Sequence, residues 1–332
     1  MSDLRESIEI VIPVRAAVPW LRHALESIAS QIFQPSYVTV VDDGAEAIEG
    51  IQALGNRLFG DRFQLVKSSG AGISNALNTA IEASRAHWIA RMDADDVAHP
   101  NRLSKQLDYL SAHCGHIIGC GTQVRFINST GKVLGRSHLP SVWSEIKEKI
   151  QSRTCFVHSS MVIRRDALLA TPYRPSMDGA EDVDLILRLA EKGPVVNLND
   201  ALLDYRLHLT QESFRTRARH TAVQELAFRL AWSRRRKHFD PLEIDPLLAE
   251  KFIDWRLSVP GYIRSRTFLT ALRYMRTHLS GCDLNGSWHC FWVALRSLPP
   301  LPGSIFISWR VFRRAAAALL DQPTPFPSLN LN

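Results

Sequence analysis

Trp88-Ile-Ala-Arg-Met92 runs without interruption into Asp93-Ala-Asp-Asp96. A short apolar run of this kind predicts a buried strand, and its end delivers three carboxylates to one place. Working outward, Ile8-Glu-Ile-Val-Ile-Pro-Val14 predicts another strand, Tyr37 to Val41 a further one leading into Asp42-Asp43-Gly44, and Phe63 to Lys67 a fourth. Helical spacing fills the gaps: Leu21, Leu25, Ile28 and Ile32 within Trp20 to Ile32, then Ala45 to Leu58, Ile73 to Ser84 and Asn101 to Leu110. Strands alternating with helices predict an α/β fold with a largely parallel sheet covered on both faces. Ligands of such sheets collect beyond the carboxyl ends of the strands, where both acidic clusters fall.

After Ile117 the pattern changes. Gly121 to Phe126 and Lys132 to Gly135 flank Asn-Ser-Thr-Gly131 as a hairpin, so the sheet becomes mixed. Met161 to Arg164 reads as a strand, Asp182 to Glu191 as an amphipathic helix, and Val195 to Leu207 as two strand-like runs. From Glu212 onward the chain turns helical and basic. That part carries 18 Lys and Arg against 9 Asp and Glu, +9, whereas the first 211 residues carry 22 against 24, −2. A basic segment points to an anionic partner.

Composition excludes several classes. With 332 residues, 45% hydrophobic and 22% charged, the chain is neither disordered nor a fibrous repeat. The longest stretch free of Asp, Glu, Lys and Arg, Tyr109 to Val124, is too short and polar to span a bilayer. No secretory signal is recognisable in Met1 to Val14, which favours the cytoplasm. Cys114, Cys120, Cys155, Cys282 and Cys290 form no C-x-x-C pair, as expected of reduced thiols. His113, Cys114, His116 and Cys120 match no common zinc spacing.

The carboxylates carry the chemistry. Asp93, Asp95 and Asp96 would repel one another unless a cation sits among them, which suits a hard divalent ion, although a solvated turn or helix cap uses the same residues. Asp42-Asp43-Gly44 is a common turn that could also accept a hydrogen bond from a nucleobase. Gly70-Ala-Gly72-Ile-Ser-Asn75 opens a helix whose backbone N–H groups could cradle phosphate, without the third Gly of a dinucleotide fingerprint. Glu181 and Asp182 start a helix, where acids are also simply stabilising.

Together, Gly72-Ile-Ser-Asn-Ala-Leu-Asn78, Trp88 to Asp96, and Pro100-Asn-Arg-Leu103 with Gln106 resemble the nucleotide-sugar-binding half of family 2 glycosyltransferases. His158-Ser-Ser-Met-Val-Ile-Arg164, Ala180-Glu-Asp-Val-Asp-Leu185 and Tyr205-Arg-Leu-His208 with Gln211 and Ser213 resemble the acceptor-side motifs in the same order. The resemblance implies a GT-A-like mixed sheet over residues 1–211, with a nucleotide-sugar half to about 115 and an acceptor half after it, followed by a helical basic region over 212–332. It implies a metal-dependent inverting transfer from a nucleotide diphosphate sugar, a UDP-sugar foremost, to a glycan or lipid-linked hydroxyl in bacterial surface polysaccharide assembly. Pro13 and Val14 would line the base pocket, and Asp43, with Asp42 as alternative, would bind the base. Gly72 and Asn75 belong to the nucleotide side. Asp93 would contact ribose, and Asp93 and Asp95 would hold Mn²⁺ or Mg²⁺, with His208 reaching the metal or diphosphate. Asp182 would be the general base, with Glu181 as its competitor for that role. The sequence departs from the family pattern at Ala45 and at Arg15-Ala-Ala17.

In the C-terminal third, Trp232, Arg234-Arg-Arg-Lys237, Trp288, Phe291, Trp292, Phe306, Trp309, Arg310, Arg313 and Arg314 interleave rings and cations. That pattern suits an anionic membrane surface, or a helical subdomain with Trp in its core; no nucleic-acid module is recognisable. The competing functions are a nucleotidyltransferase on a similar sheet and a catalytically silent membrane-docked module.

Overall fold

Runs rich in Val and Ile, apolar on both faces, become neighbouring parallel strands because helices cover each side of the sheet. The structure is a computed structural model, which describes residues 7–15, 19–44, 49–113, 115–208, 211, 216–281 and 283–297. Strands β1 (Ile8–Val14), β2 (Tyr37–Asp42), β3 (Phe63–Lys67) and β4 (Trp88–Arg91) lie in the order β3-β2-β1-β4, all parallel. The crossovers are α1 (Leu21–Ala29), α2 (Glu49–Phe59) and α3 (Ile73–Ala83). Leu21, Leu25 and Ile28 of α1 and Leu77, Ala80 and Ile81 of α3 form buried stripes, while Ile32, expected on the first stripe, lies past the helix end and is exposed.

Beyond β4 come β5 (Val97–Ala98), α4 (Arg102–Ala112), β6 (Gly119–Ile127), β7 (Val133–Arg136), α5 (Trp143–Lys149), β8 (Val162–Arg164), α6 (Arg165–Leu169), α7 (Glu181–Lys192) and β9 (Val195–Arg206). The sheet turns mixed here. β8 runs antiparallel to β4 and β6, β9 is parallel to β6, β5 is antiparallel to β9, and β7 forms the expected hairpin with β6. Residues 195–206 are one strand, not two. The register against β6 shifts between Thr122 and Val124, which lets the strand continue through the polar Asn199-Asp200 pair.

The chain ends in α8 (Arg217–Lys237), α9 (Pro241–Ile244), α10 (Leu248–Ser258), α11 (Tyr262–Ser280) and α12 (Leu284–Arg296). Val223, Leu226 and Leu230 of α8 and Ile253 of α10 share one buried core with the sheet. Trp232, Trp255, Trp288 and Trp292 are 53%, 55%, 62% and 43% exposed, so these rings are not core residues. Among the described residues no helix is long and apolar enough to cross a membrane. Cys120, Cys155 and Cys290 are buried free thiols, whereas His113 and His116 are exposed. Burial pushes the Cys120 thiol up to about 12, so it stays protonated, unlike a zinc-bound thiolate. Ala16, Ala17, Ala45, Cys114, Ser213, Cys282 and the stretch with Phe306, Trp309, Arg310, Arg313 and Arg314 lie outside the described residues.

Candidate active site

Parallel pairing brings the two acidic clusters to one edge. In the β1–β2 register Pro13 faces Val41 and Val14 faces Asp42, and the Asp43 N–H donates to Val14 O at 2.8 Å. Asp42 Oδ1 accepts the Gly44 N–H at 2.9 Å, a local turn bond, while Asp43 Oδ1 accepts the Gly72 N–H at 2.8 Å. The base-pocket candidates Pro13, Val14, Asp42 and Asp43 are therefore contiguous, with Asp43 aimed across to the start of α3.

That start is not an open phosphate cradle. Gly72 N–H is taken by Asp43, and Ser74 N–H donates to Asp178 Oδ1 at 3.2 Å. The Asn75 amide donates to Ala71 O at 2.7 Å, within its own turn. Gly72 has φ +101°, and a Cβ there would sit 2.1 Å from Asp178 Oδ2, so only glycine fits. Burial, followed by repulsion from Asp43, raises the Asp178 carboxyl despite its bonds to Ser74. Asp178 is a site-edge residue that sequence reasoning missed, since 104 residues separate it from its partner Ser74.

Asp93, Asp95 and Asp96 each place a carboxylate oxygen within 4.8 Å of the others. Asp96 is fully buried and accepts the Arg206 N–H at 2.9 Å. Burial, then the charges of Asp95 and Asp93, pushes its carboxyl well above the usual range. Asp95 Oδ2 lies 2.8 Å from His208 Nε2, and its backbone O accepts Arg206 Nε at 2.8 Å. His208 thus sits beside the cluster through Asp95. Its ring rests 4.5 Å from that of Trp20, and the Arg206 guanidinium lies 5.2 Å over the same indole. Clustered carboxylate oxygens beside an imidazole suit a hard divalent cation such as Mg²⁺ or Mn²⁺.

Arg91 is the cation within the acids. It is 6% exposed and pairs with Asp93 at 2.5 Å. Burial and repulsion from Asp95 raise the Asp93 carboxyl, with Arg91 opposing both. The charge of the same guanidinium opposes the rise of the Glu181 and Asp182 carboxyls at the start of α7. Behind it, buried Arg102 donates to Arg91 O at 2.7 Å, and Gln106 donates to Cys120 O and Ser160 O at 3.0 and 2.9 Å. These two motif residues hold the strand ends in place. His158 Nε2 lies 2.7 Å from the Tyr173 hydroxyl, and burial together with Arg91 keeps its pKa well below the usual value. It is a neutral structural histidine.

Glu181 and Asp182 differ in what they face. Glu181 is 8% exposed, and its Oε2 accepts the Gly179 N–H at 3.0 Å. Burial, then the charge of Asp182, pushes it up to about 8. Asp182 is also raised, by burial first, against its bond from the Val183 N–H and the attraction of Arg91, with Asp93 adding to the rise.

A carboxylate pair on one helix opposite an acidic cation site is an arrangement for proton removal beside an anionic leaving group. Residues 9–170 match the family model described as glycosyl transferase family 2. Those residues form a glycosyltransferase family 2 domain. It is 27% identical over 207 residues to the O-antigen biosynthesis glycosyltransferase WbnJ of Escherichia coli, spanning 61% of this chain and 80% of that protein. It is 28% identical over 190 residues to the amylovoran biosynthesis glycosyltransferase AmsE of Erwinia amylovora, spanning 56% and 70%. Among solved structures, S. aureus TarS 1–349 in complex with UDP superposes with a TM-score of 0.50 at 16% identity, covering 85% of this chain and 89% of that one. The mannosyltransferase PcManGT from Pyrobaculum calidifontis, in complex with GDP-Man and Mn²⁺, superposes with a TM-score of 0.52 at 15% identity, covering 94% and 84%. At these identities the structures establish a shared GT-A-like fold. The enzyme is a glycosyltransferase.

Proposed function

We propose that this glycosyltransferase moves a sugar from a nucleotide diphosphate donor, a UDP-sugar, to a hydroxyl of a glycan or lipid-linked acceptor, inverting the anomeric centre, in cell-surface polysaccharide biosynthesis. The observation that carries the reading is the shared guanidinium of Arg91. It pairs with Asp93 inside the Asp93, Asp95 and Asp96 cluster, and its charge also bears on Asp182, which supports reading the two acidic groups as parts of one site. The relatives named for O-antigen and amylovoran biosynthesis support the polysaccharide setting.

In this reading Asp43 accepts an N–H of the base, with Pro13 and Val14 beneath it, and Gly72 holds the Asp43 carboxylate in place. Asp93, Asp95 and His208 would hold Mn²⁺ or Mg²⁺, which would neutralise the departing diphosphate. Asp182 accepts the proton of the acceptor hydroxyl as its oxygen attacks the anomeric carbon. Burial and then the charge of Asp182 push the Glu181 carboxyl up to about 8, which favours Asp182 over Glu181 as the base. The exposed tryptophans of the +9 segment support action at the cytoplasmic face of an anionic membrane.

The test measures binding of UDP, GDP, ADP, CDP and dTDP by calorimetry, with and without Mn²⁺, on wild type and Asp95→Asn. It is followed by nucleoside diphosphate release from UDP-glucose, UDP-GlcNAc and GDP-mannose, with water standing in for the acceptor. Metal-dependent binding of one nucleotide, lost in the variant, is the expected result. Pyrophosphate as product, or no nucleotide binding by folded protein, would overturn the reading.

A further inference from the structure

Helix α7 delivers Asp182 to the site from its first turn, and a reacting group must be held to about half an ångström by its supporting shell. Much of that shell comes from the helical segment. The Asp184 carboxylate, fully buried, accepts Arg174 Nε on Oδ2 at 2.9 Å and Arg174 Nη2 on Oδ1, with Arg188 Nη2 2.8 Å from Oδ2. The third arm of the same guanidinium, Nη1, donates to Asp240 Oδ2 at 2.8 Å. Asp240 lies between α8 and α9 and is 4% exposed. Its Oδ1 accepts the Leu242 N–H at 3.0 Å, capping α9, and its Oδ2 also takes Arg234 Nη1 at 3.0 Å. Arg234 turns Nε and Nη2 to Glu191, near the far end of α7, at 2.9 and 3.0 Å.

Both ends of α7 are therefore tied to one carboxylate, the first turn through Arg174 and the last through Arg234. Asp184, Glu191 and Asp240 balance Arg174, Arg188 and Arg234. An ion network of this kind, buried at Asp184 and Asp240 and exposed at Glu191, adds little stability over an apolar contact, because desolvation offsets the attraction; what it can supply is a defined geometry. The loop bearing Arg174 is also anchored on the donor side. Tyr173 exchanges two hydrogen bonds with Asn78, at 2.9 and 3.0 Å, and Arg174 O accepts Ser74 Oγ at 3.3 Å.

We propose that Asp240 is a positioning residue for the transfer: it fixes the Arg174 guanidinium, and through Asp184 the axial position and roll of α7, so that Asp182 meets the acceptor hydroxyl. The inference rests on Asp182 being the base. It makes the segment after residue 212 part of the catalytic unit.

The experiment uses the full chain and measures kcat and KM for nucleoside diphosphate release from the active sugar nucleotide, UDP affinity by calorimetry, and thermal melting. Asp240→Asn retains the Leu242 cap but removes the charge opposing Arg174 and Arg234. It is expected to lower kcat by roughly 10- to 100-fold, the range for a lost supporting contact, with donor KM and UDP affinity unchanged. Asp240→Glu should recover most of the loss, and adding Asp240→Asn to Asp182→Asn should cost nothing more. Wild-type kcat in Asp240→Asn, an equal further loss on top of Asp182→Asn, or a parallel loss of UDP affinity overturns the proposal. Should Asp240→Asn fail to fold, Arg174→Lys breaks the same link between Asp240 and Asp184, and wild-type kcat there is equally fatal. Failure of the base assignment is read separately, from Asp182→Asn alone; if that variant turns over normally, the positioning role falls with it.

Discussion

Asp95 and His208, 113 residues apart in the chain, meet with Oδ2 and Nε2 at 2.8 Å. The contact joins the loop after β4 to the loop that follows β9, the last strand in chain order. It is stabilised from behind by Arg206, which donates to Asp95 O at 2.8 Å and to Asn128 O at 3.1 Å. A carboxylate and an imidazole, two groups able to ligate a cation, are thus held side by side.

On the proposed reading, nucleotide binding should depend on a divalent metal at that place. Asp95→Asn keeps the size and one acceptor oxygen but loses the charge, so Mn²⁺-dependent nucleotide binding should fall by 10-fold or more, about 1.4 kcal/mol per decade. His208→Ala should weaken it less, because the carboxylates remain. Calorimetric titration of UDP with and without Mn²⁺ reads both. Equal affinities in wild type and Asp95→Asn would remove the cation from this site.

The adjacent acids should separate cleanly on mutation. Asp182→Asn removes the proposed base and should lower turnover by about 10² to 10⁴, the usual worth of general base catalysis, with UDP affinity retained. Glu181→Gln copies the protonated carboxyl and keeps an acceptor for the Gly179 N–H, so turnover should stay close to wild type. The acid limb of the wild-type pH profile should lie above the ordinary Asp range, because burial raises Asp182. A collapse in Glu181→Gln with activity kept in Asp182→Asn would reverse the assignment.

Much of this site was legible before the fold. Ile8–Val14 and Phe63–Lys67 are strands with the bounds their β-branched runs predict, and the strand ends put Asp42, Asp43 and Asp93 to Asp96 where ligands gather. What stayed hidden depends on distant partners. Asp178 closes the α3 N-terminus from 104 residues away, and no local pattern distinguishes that carboxylate from a loop acid. Val97–Ala98 is too short to carry a period. Asn199-Asp200 imitates a turn within β9, because the compensating register shift belongs to β6. The tie from Asp240 to Arg174 crosses 66 residues and depends on how α8 packs on α7.

Membrane attachment is decided by salt and by rings. Trp288, Phe291 and Trp292 of α12 form one ring cluster, with centroids 5.6 to 6.0 Å apart, and both indoles are exposed. Basic surface and interfacial aromatic rings act together on anionic lipid. The full chain should float with phosphatidylglycerol vesicles, not with phosphatidylcholine alone, and release as salt rises toward 1 M, where screening shortens to about 3 Å. Trp288→Ala with Trp292→Ala should weaken flotation while melting is unchanged. Flotation that ignores lipid charge would remove the electrostatic part of the reading.

Stability should fall with rising pH across the range in which Glu181 stays protonated only when folded. Its carboxyl is raised from 4.5 to about 8, by burial first and then by Asp182, so the native state binds the extra proton. The unfolded chain releases that proton above about 4.5, and the slope of unfolding free energy with pH is then negative, with the penalty fully developed above about 8. Glu181→Gln removes the ionisation and should raise stability at pH 7 by about 1 to 3 kcal/mol relative to wild type, with little difference at pH 4. For a chain of this size that corresponds to several degrees in Tm. Melting curves of the two proteins from pH 4 to pH 9 give the answer: a gain that widens up to pH 8 and then levels supports the buried protonated Glu181, and a gap that does not change with pH rejects it.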